Sequence, residues 1–259
     1  MIGRMGDSAA LSGRAVLVTG ASSGIGRAIA LASARAGADV AVTYRANEAG
    51  ARDVARAIAE LGRRAAVLAL DLASEASIRA LGPAVIENLG RLDTWINNAG
   101  ADVLTGGGPQ LSDVERLDRL LAVDLRGTMV ASWEAAALLG AQPGGGTIIN
   151  MSWDHVLTGM AGRNPEIFAA VKGGVLAFSK SLARSVAPRV RVNVLAPGWI
   201  ETAFGSGLDR DRHRAVADST PLARWGTPDD VARAAVFLAS ADAAFMTGQT
   251  LLVGGGIVM

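Results

Sequence analysis

Cysteine is absent from this chain of 259 residues, which excludes disulfide bonds, thiolate metal sites and thiol nucleophiles together. No apolar run approaches the roughly 20 residues that a membrane-spanning helix needs. The formal net charge is only +1, so the composition gives no sign of a nucleic-acid surface. The sequence therefore predicts a cytoplasmic protein that binds no nucleic acid, spans no membrane and holds no metal.

Aromatic residues are scarce as well. They make up 4% of the chain and include a single tyrosine, Tyr44, whereas half of all residues are hydrophobic. A core must therefore be built mostly from Ala, Val, Leu and Ile. A chain of this length fits one large α/β domain, and we assign residues 1–10 to an N-terminal tail and 11–259 to a single domain. The tail has no long apolar core and does not resemble a signal peptide.

A turn with three glycines follows the first apolar run. Val16–Val18 is typical of a strand, Gly20, Gly24 and Gly26 come next, and a helical pattern begins at once. Glycine is needed where φ is positive or where a ligand lies against bare backbone. The start of a helix presents free N–H groups and a positive dipole end, which suit a pyrophosphate. The turn therefore predicts a nucleotide-binding site.

Strand and helix patterns alternate along the rest of the chain. The predicted strands are Asp39–Tyr44, Ala65–Leu70, Thr94–Asn97, Thr147–Met151, Val190–Leu195 and Thr250–Val253. The predicted helices are Glu48–Leu61, Ser74–Leu89, Ser112–Leu139, one capped by Asn164 and one starting at Thr227, with a loop-rich Gly198–Thr227 that holds one short amphipathic segment. This alternation predicts parallel strands joined by right-handed crossovers, with helices on both faces. Ligands of such sheets bind at the carboxyl ends of the strands.

Several motifs stand at these strand ends in a fixed order. They are Thr19-Gly20-x-x-x-Gly24-x-Gly26, Asp71, Asn97-Asn98-Ala99-Gly100, Asn150-Met151-Ser152, Lys172 and Pro197-Gly198. On these motifs, the chain from about Leu11 to Met259 resembles the short-chain dehydrogenase/reductase family, in particular its ketoacyl-carrier-protein reductase and glucose dehydrogenase branch. The resemblance implies a single Rossmann-type α/β domain, a doubly wound parallel sheet of about seven strands. It also implies an oxidoreductase that uses a nicotinamide cofactor on a small carbonyl or alcohol.

The resemblance further implies which residues bind that cofactor. They are Gly20, Ser22, Ser23, Gly24, Ile25 and Gly26 in the turn, Asp71 and Leu72 near the adenine, Asn98, Ala99 and Gly100 beside the ribose, Lys172 at the nicotinamide ribose, and Pro197, Gly198, Ile200 and Thr202 around the carboxamide.

Arg45 indicates which form of the cofactor is preferred. NAD is usually held by an acidic residue at the end of the second strand, but this chain has Tyr44-Arg45 there. A guanidinium pairs well with a 2′-phosphate. The sequence therefore favours NADP(H), with NAD(H) as the alternative.

The catalytic residues depart from the family pattern. The family uses Asn, Ser, Tyr and Lys, with Tyr-x-x-x-Lys on one helix face, and this chain has Phe168 four residues before Lys172. Phenylalanine has no proton to transfer. Asp124 stands in place of the asparagine, where it can accept a bond from Lys172. Trp153 stands at the position of the working serine, and the loop that follows is about two residues longer than is usual in such loops.

A shift in that loop would bring Ser152 or His155 into the place of the serine. Histidine is the commonest general acid or base, which makes His155 a candidate for the proton donor. The candidate catalytic residues are therefore Lys172, Ser152, Asp124 and His155. Three functions fit the motifs: an oxidoreductase whose proton comes from His155 or from water, a non-catalytic NADP(H)-binding protein or sensor, and a lyase or isomerase. The resemblance also implies a homotetramer, with a dimer as the alternative.

Overall fold

The structure is a computed structural model that describes residues 9–259, so most of the predicted N-terminal tail lies outside the described residues. Within that range, seven parallel strands form one sheet in the order β3-β2-β1-β4-β5-β6-β7. The strands are β1 Ala15–Val18, β2 Asp39–Tyr44, β3 Ala65–Ala69, β4 Thr94–Asn97, β5 Gly146–Met151, β6 Val190–Pro197 and β7 Thr250–Val253. The strand order reverses between β1 and β4. The predicted doubly wound parallel sheet is confirmed.

Helices cover both faces of the sheet. They are α1 Gly24–Arg35, α2 Glu48–Glu60, α3 Glu75–Leu89, α4 Asp113–Leu120, α5 Thr128–Ala141, α6 Arg163–Val186, α7 Ala203–Ser206, α8 Arg210–Ser219 and α9 Pro228–Ala239. Two apolar clusters, one on each face, hold the layers together. Ile29 of α1 and Leu238 of α9 belong to one cluster, and Leu81 of α3 and Leu139 of α5 belong to the other. Burial of such side chains is the main force that fixes the layers.

Local capping explains where several helices begin. The Ser74 side chain accepts the Ser77 N–H at the start of α3. Thr227 and Asp230 form a reciprocal capping box at the start of α9, with Pro228 in the first turn. Side chains that bind the free N–H groups of a first turn stabilise that end of the helix. Both of these helix starts were predicted from the sequence.

Three details differ from the prediction. The N-cap of α6 is Gly162 and not Asn164, which lies inside the helix and accepts a hydrogen bond from Arg116. The predicted helix Ser112–Leu139 is interrupted by a π-helical segment, Leu121–Gly127, that separates α4 from α5. The segment Gly198–Thr227 holds two helices, α7 and α8, where a single short one was predicted.

Candidate active site

The glycine turn after β1 is packed against the loop that follows β4. Gly20 has a φ of 65°, and a Cβ there would lie 2.9 Å from the Ala99 Cα. A Cβ on Gly26 would collide with the Gly20 carbonyl oxygen and with Nδ2 of Asn98. Gly24 has a φ of 54°, and a Cβ there would meet nothing within 4 Å. The turn is therefore closed towards the protein and open on its outer side, as a bound phosphate requires.

Hydrogen bonds fasten the two loops together. Thr19 Oγ1 accepts the backbone N–H groups of Asn98 and Ala99, each at 2.9 Å. The Asn98 side-chain amide donates back to the carbonyl oxygens of Thr19 and Gly20. Thr43 Oγ1 of β2 accepts the Gly20 N–H at 3.0 Å. These bonds hold the turn in one shape before any ligand arrives.

A cavity of about 450 Å³ opens between this turn and the ends of β2 and β3. Nine of the predicted cofactor residues line it: Gly20, Ser22, Ser23, Arg45, Asp71, Leu72, Asn98, Ala99 and Gly100. Arg45 is exposed at the end of β2. Arg119 and Asn47 also line this cavity, and the sequence reasoning missed both. The sequence held a usable signal for Asn47, because an asparagine directly before a predicted helix is a typical N-cap. In the structure its side chain accepts the Gly50 N–H at the start of α2.

Lys172 and Asp124 form a buried ion pair. Lys172 Nζ lies 2.9 Å from Asp124 Oδ2, and the two side chains are only 7% and 2% exposed. Asp124 comes from the π-helical segment, a type of distortion that is frequent at functional sites. Its other oxygen, Oδ1, accepts the Ala101 N–H at 2.7 Å. The pair therefore ties α6 to the loop that follows β4.

Phe168 stands one helical turn before Lys172. Lys172 Nζ lies 5.5 Å from the centre of its ring, within the range of a cation–π contact. The ring also meets Trp153 edge to face, at a centroid distance of 5.4 Å. Ser152 is buried, and its hydroxyl donates to the Lys172 carbonyl oxygen at 2.8 Å. No shift of the loop therefore brings the Ser152 hydroxyl to the surface of the site.

Asp154 and His155 form a second buried pair beside Trp153. Asp154 Oδ1 accepts the His155 backbone N–H at 2.7 Å and lies 2.6 Å from the ring Nδ1. Asp154 Oδ2 has no hydrogen-bond partner within residues 9–259 and lies against Gly198 and Gly254, where any Cβ would collide with it. Burial raises the pKa of the Asp154 carboxyl above its ordinary value, and the hydrogen bond from His155 opposes that rise.

The His155 ring stacks on Trp153 at a centroid distance of 4.8 Å and meets Trp199 edge to face at 6.0 Å. His155 is 8% exposed. The sequence predicts that a shift in the loop would bring Ser152 or His155 into the place of the serine, whereas His155 does not line the cavity and lies behind Trp153, which does.

A second cavity, of about 370 Å³, lies on the other side of the glycine turn. Four predicted cofactor residues line it: Ile25, Gly198, Ile200 and Thr202. Phe168, Trp153 and Trp199 also line it, together with Phe204, Arg116 and Asn164, which the sequence reasoning missed. Gly24, Gly26, Pro197 and Lys172 line neither cavity. Both cavities are lined by residues that follow the carboxyl ends of strands.

Among residues 9–259, no group of three or more His, Asp or Glu side chains is arranged to hold a metal ion. No helix in that range is both long and apolar enough to cross a bilayer.

Comparison with known proteins gives a consistent result. The family described as enoyl-(acyl carrier protein) reductase matches residues 20–258. The 3-oxoacyl-(acyl-carrier-protein) reductase of Vibrio harveyi is 39% identical over 253 residues, which cover 96% of this chain and 99% of that protein. The 3beta-hydroxysteroid dehydrogenase 1 of Eggerthella lenta is 35% identical over 259 residues, with 96% and 95% coverage.

A solved structure agrees with these relatives. The short-chain dehydrogenase from Burkholderia cenocepacia, crystallised in complex with NADP, has a TM-score of 0.85 and 34% identity, and the match covers 96% of this chain and 99% of that one. The glycine turn, the strand order and these matches lead to the same assignment. The chain belongs to the short-chain dehydrogenase/reductase family of oxidoreductases.

Proposed function

We propose that this protein is an NADP(H)-dependent oxidoreductase that acts on a small carbonyl or alcohol through an atypical set of catalytic residues. The observation that supports the proposal is the glycine turn after β1, which stands beside a cavity that Arg45 and Asp71 line. When bound there, NADPH supplies a hydride, so that a ketone, NADPH and a proton give a secondary alcohol and NADP⁺.

The proposed preference for NADP(H) rests on charge at the end of β2. Arg45 is exposed there, lines the cavity, and has no ion-pair partner in the part of the chain that the structure describes. A free guanidinium is suited to a 2′-phosphate, which it binds with two parallel hydrogen bonds. The Burkholderia cenocepacia relative was crystallised with NADP, which supports the same choice.

Lys172 is proposed to hold the nicotinamide ribose, with Asp124 as the residue that positions it. The 2.9 Å ion pair fixes the position of the ammonium group, and Phe168, whose ring centre lies 5.5 Å away, gives it no phenol to act on. Lys172 therefore serves to bind the nicotinamide ribose. The proton that the substrate oxygen needs has to come from another group.

His155 is proposed to exchange that proton with water. Asp154 accepts from Nδ1, which fixes the tautomer and leaves Nε2 without a hydrogen-bond partner among residues 9–259. Because His155 is not a lining residue, its proton reaches the substrate oxygen through water. Direct protonation by water is the alternative.

The test is titration of NADPH into the protein, followed by its absorbance with a panel of ketones and aldehydes. We expect tight binding and slow, ketone-dependent oxidation of NADPH. Binding without oxidation of NADPH by any carbonyl would indicate the non-catalytic binding protein. A substrate converted with no change in the redox state of the nicotinamide would indicate a lyase or isomerase. Either result overturns the proposal.

A homotetramer is the proposed assembly. Trp133 of α5 is 51% exposed and contacts Phe178 of α6 edge to face, so the surface that these two helices share carries a large apolar side chain. Light scattering at micromolar concentration is expected to give four times the 26.4 kDa chain mass, and a monomer would overturn the proposal. The cytoplasmic location expected from the sequence stays a prediction.

A further inference from the structure

Four aromatic rings dominate the wall of the second cavity. Trp153 and Phe168 meet edge to face. Trp199 and Phe204 are nearly parallel, at an interplanar angle of 17° and a centroid distance of 6.1 Å. Aliphatic side chains that include Leu120 also line the cavity. In a chain with only 4% aromatic residues, this concentration marks a specialised surface.

The polar groups on this wall are few, and Arg116, the only charged residue that lines it within residues 9–259, is already engaged. Arg116 Nη1 donates to Asn164 Oδ1 at 3.0 Å, and Nη2 donates to the Pro109 carbonyl oxygen at 2.8 Å. Asp113 lies 3.4 Å from the same guanidinium. Arg116 therefore ties the loop before α4 to α6. Its charge is balanced before a ligand enters.

The neighbouring cation at the start of α6 is also paired. Arg163 lies 2.9 Å from Glu166 and 3.3 Å from Asp113. A carboxylate or phosphate that entered the cavity would lose water and gain no unpaired positive charge from Arg116 or Arg163. Burying an uncompensated charge is strongly unfavourable, so the wall discriminates against anions.

The segment between β6 and α9 contributes Phe204 to this wall. Phe204 lies in the short helix α7, which begins directly after Thr202. Within the same segment, Trp225 Nε1 donates to the His213 carbonyl oxygen at 2.9 Å, which ties α8 to the end of the segment that precedes α9. Phe204 therefore contributes an aromatic ring to the cavity wall, next to Trp199.

We propose that the substrate of this site is a neutral alicyclic ketone, or the matching secondary alcohol, with one or two fused rings and no carboxylate, phosphate or thioester-linked carrier. The inference rests on the proposed function for its chemistry and on the cavity for its shape. A cavity of about 370 Å³ with aromatic walls has the size and character of a small-molecule site. Aromatic side chains bury a large apolar area against the face of a ring system.

The test is calorimetric titration of three probes into the full-length protein with NADP⁺ present. The probes are trans-1-decalone, which is neutral and bicyclic, 4-oxocyclohexanecarboxylate, which carries a charge on one ring, and acetoacetyl-coenzyme A, which is a carrier thioester. We expect decalone to bind at least about tenfold more tightly than either anion. Binding, unlike turnover, does not depend on the unusual catalytic residues.

Variants locate the binding to the cavity. Phe204→Ala is expected to weaken decalone binding about tenfold, whereas Phe237→Ala, on the outer surface of α9, leaves it unchanged. Leu104 is 40% exposed at the cavity, and Leu104→Arg adds an unpaired cation there. We expect Leu104→Arg to tighten binding of 4-oxocyclohexanecarboxylate about fivefold, as a new exposed ion pair does.

The outcomes separate this inference from the proposed function. Equal or tighter binding of either anion by the unmodified protein overturns the inference, and so does decalone binding that Phe204→Ala leaves unchanged. Turnover of a charged carbonyl without decalone binding overturns the inference and keeps the oxidoreductase. Decalone binding with the expected selectivity, but with no turnover of any carbonyl, supports the inference and removes the oxidoreductase.

Discussion

Lys172 Nζ and Asp124 Oδ2 lie 2.9 Å apart with both side chains buried, at the point where the π-helical segment meets α6. Each charge depends on the other, because neither side chain can reach bulk water. A Cβ on Gly100 would lie 2.7 Å from the same Asp124 oxygen, so the loop after β4 is fitted closely around the carboxylate. The pair is therefore part of both the fold and the site.

Removing one partner of this pair should destabilise the protein. We expect Asp124→Ala to lower the free energy of unfolding by about 3–5 kcal/mol, because it leaves Lys172 buried and uncompensated. The matched control is Asp53→Ala, which removes the exposed ion pair with Arg56 and should cost less than about 1 kcal/mol. Urea denaturation at one protomer concentration measures both. Equal losses for the two variants would contradict the prediction.

Arg45 should decide between the two cofactors. We expect the unmodified protein to bind NADPH more tightly than NADH, and Arg45→Ala to raise the Kd for NADPH about 10- to 100-fold, as loss of a charge-assisted hydrogen bond does. The Kd for NADH should not change. Arg56→Ala, on the exposed face of α2, serves as the control for a lost surface cation. Isothermal titration gives all of these constants. Equal affinities in the unmodified protein would contradict the prediction.

Asp154 should give the stability a measurable pH dependence. Its pKa is raised by burial, so as pH rises the carboxyl loses its proton in the unfolded chain before it does so in the folded one. Between the two pKa values the folded state binds more protons, and the free energy of unfolding falls with rising pH. Relative to Asp154→Asn, the unmodified protein should therefore become less stable as pH rises through that window.

Asp230 provides the comparison of opposite sign. Its hydrogen bond from Arg224 and the capping box of α9 lower its pKa to about 2. Relative to Asp230→Asn, the unmodified protein should lose stability as pH falls from about 4 towards that value. Urea denaturation tests Asp230 below about pH 4 and Asp154 above it, because their pKa values shift in opposite directions from the ordinary value of an aspartate. Parallel slopes for the two variants would contradict the assignment of their pKa shifts.

The fold could be predicted from the sequence because its signals are local. Most strand residues are apolar, and caps such as Ser74 and Thr227 can be recognised within four residues of chain. The π-helical segment was missed because Leu121–Gly127 keeps an ordinary helical pattern, and its extra residue per turn shows only in the hydrogen bonds. Gly162 was missed because Asn164 is the stronger capping residue by type.

The site could be predicted only in part, because only some of its features depend on local sequence. The glycine turn and Arg45 follow directly from sequence order, since strand ends meet at one edge of a parallel sheet. The positions of Ser152 and His155 depend on packing. Only the structure shows that the Ser152 hydroxyl is bound to the Lys172 carbonyl and that Trp153 covers His155.

Phe168 leads to the most informative prediction. Its ring lines the second cavity one turn before Lys172, so Phe168→Tyr adds a hydroxyl near the ammonium group. A nearby cation lowers the pKa of a phenol and prepares it for proton transfer. We expect carbonyl reduction to rise, within the 10²- to 10⁴-fold range that is typical of general acid catalysis. Because Asp124 balances part of the Lys172 charge, the gain should stay below about 10⁴-fold.

Trp153 is expected to limit how much of that gain Phe168→Tyr alone can reach, because it lies against the Phe168 ring and the family resemblance implies a serine at its position. The double variant with Trp153→Ser should therefore be faster than either single variant. Phe178→Tyr, on the same helix but against Trp133, is the matched control and should leave the rate unchanged. His155→Ala in the unmodified protein should lower its weak activity if His155 passes the proton to water. If the unmodified protein is inert and neither Phe168→Tyr nor the double variant gains activity, the oxidoreductase proposal fails, because the variants supply both the phenol and the hydroxyl that the site lacks.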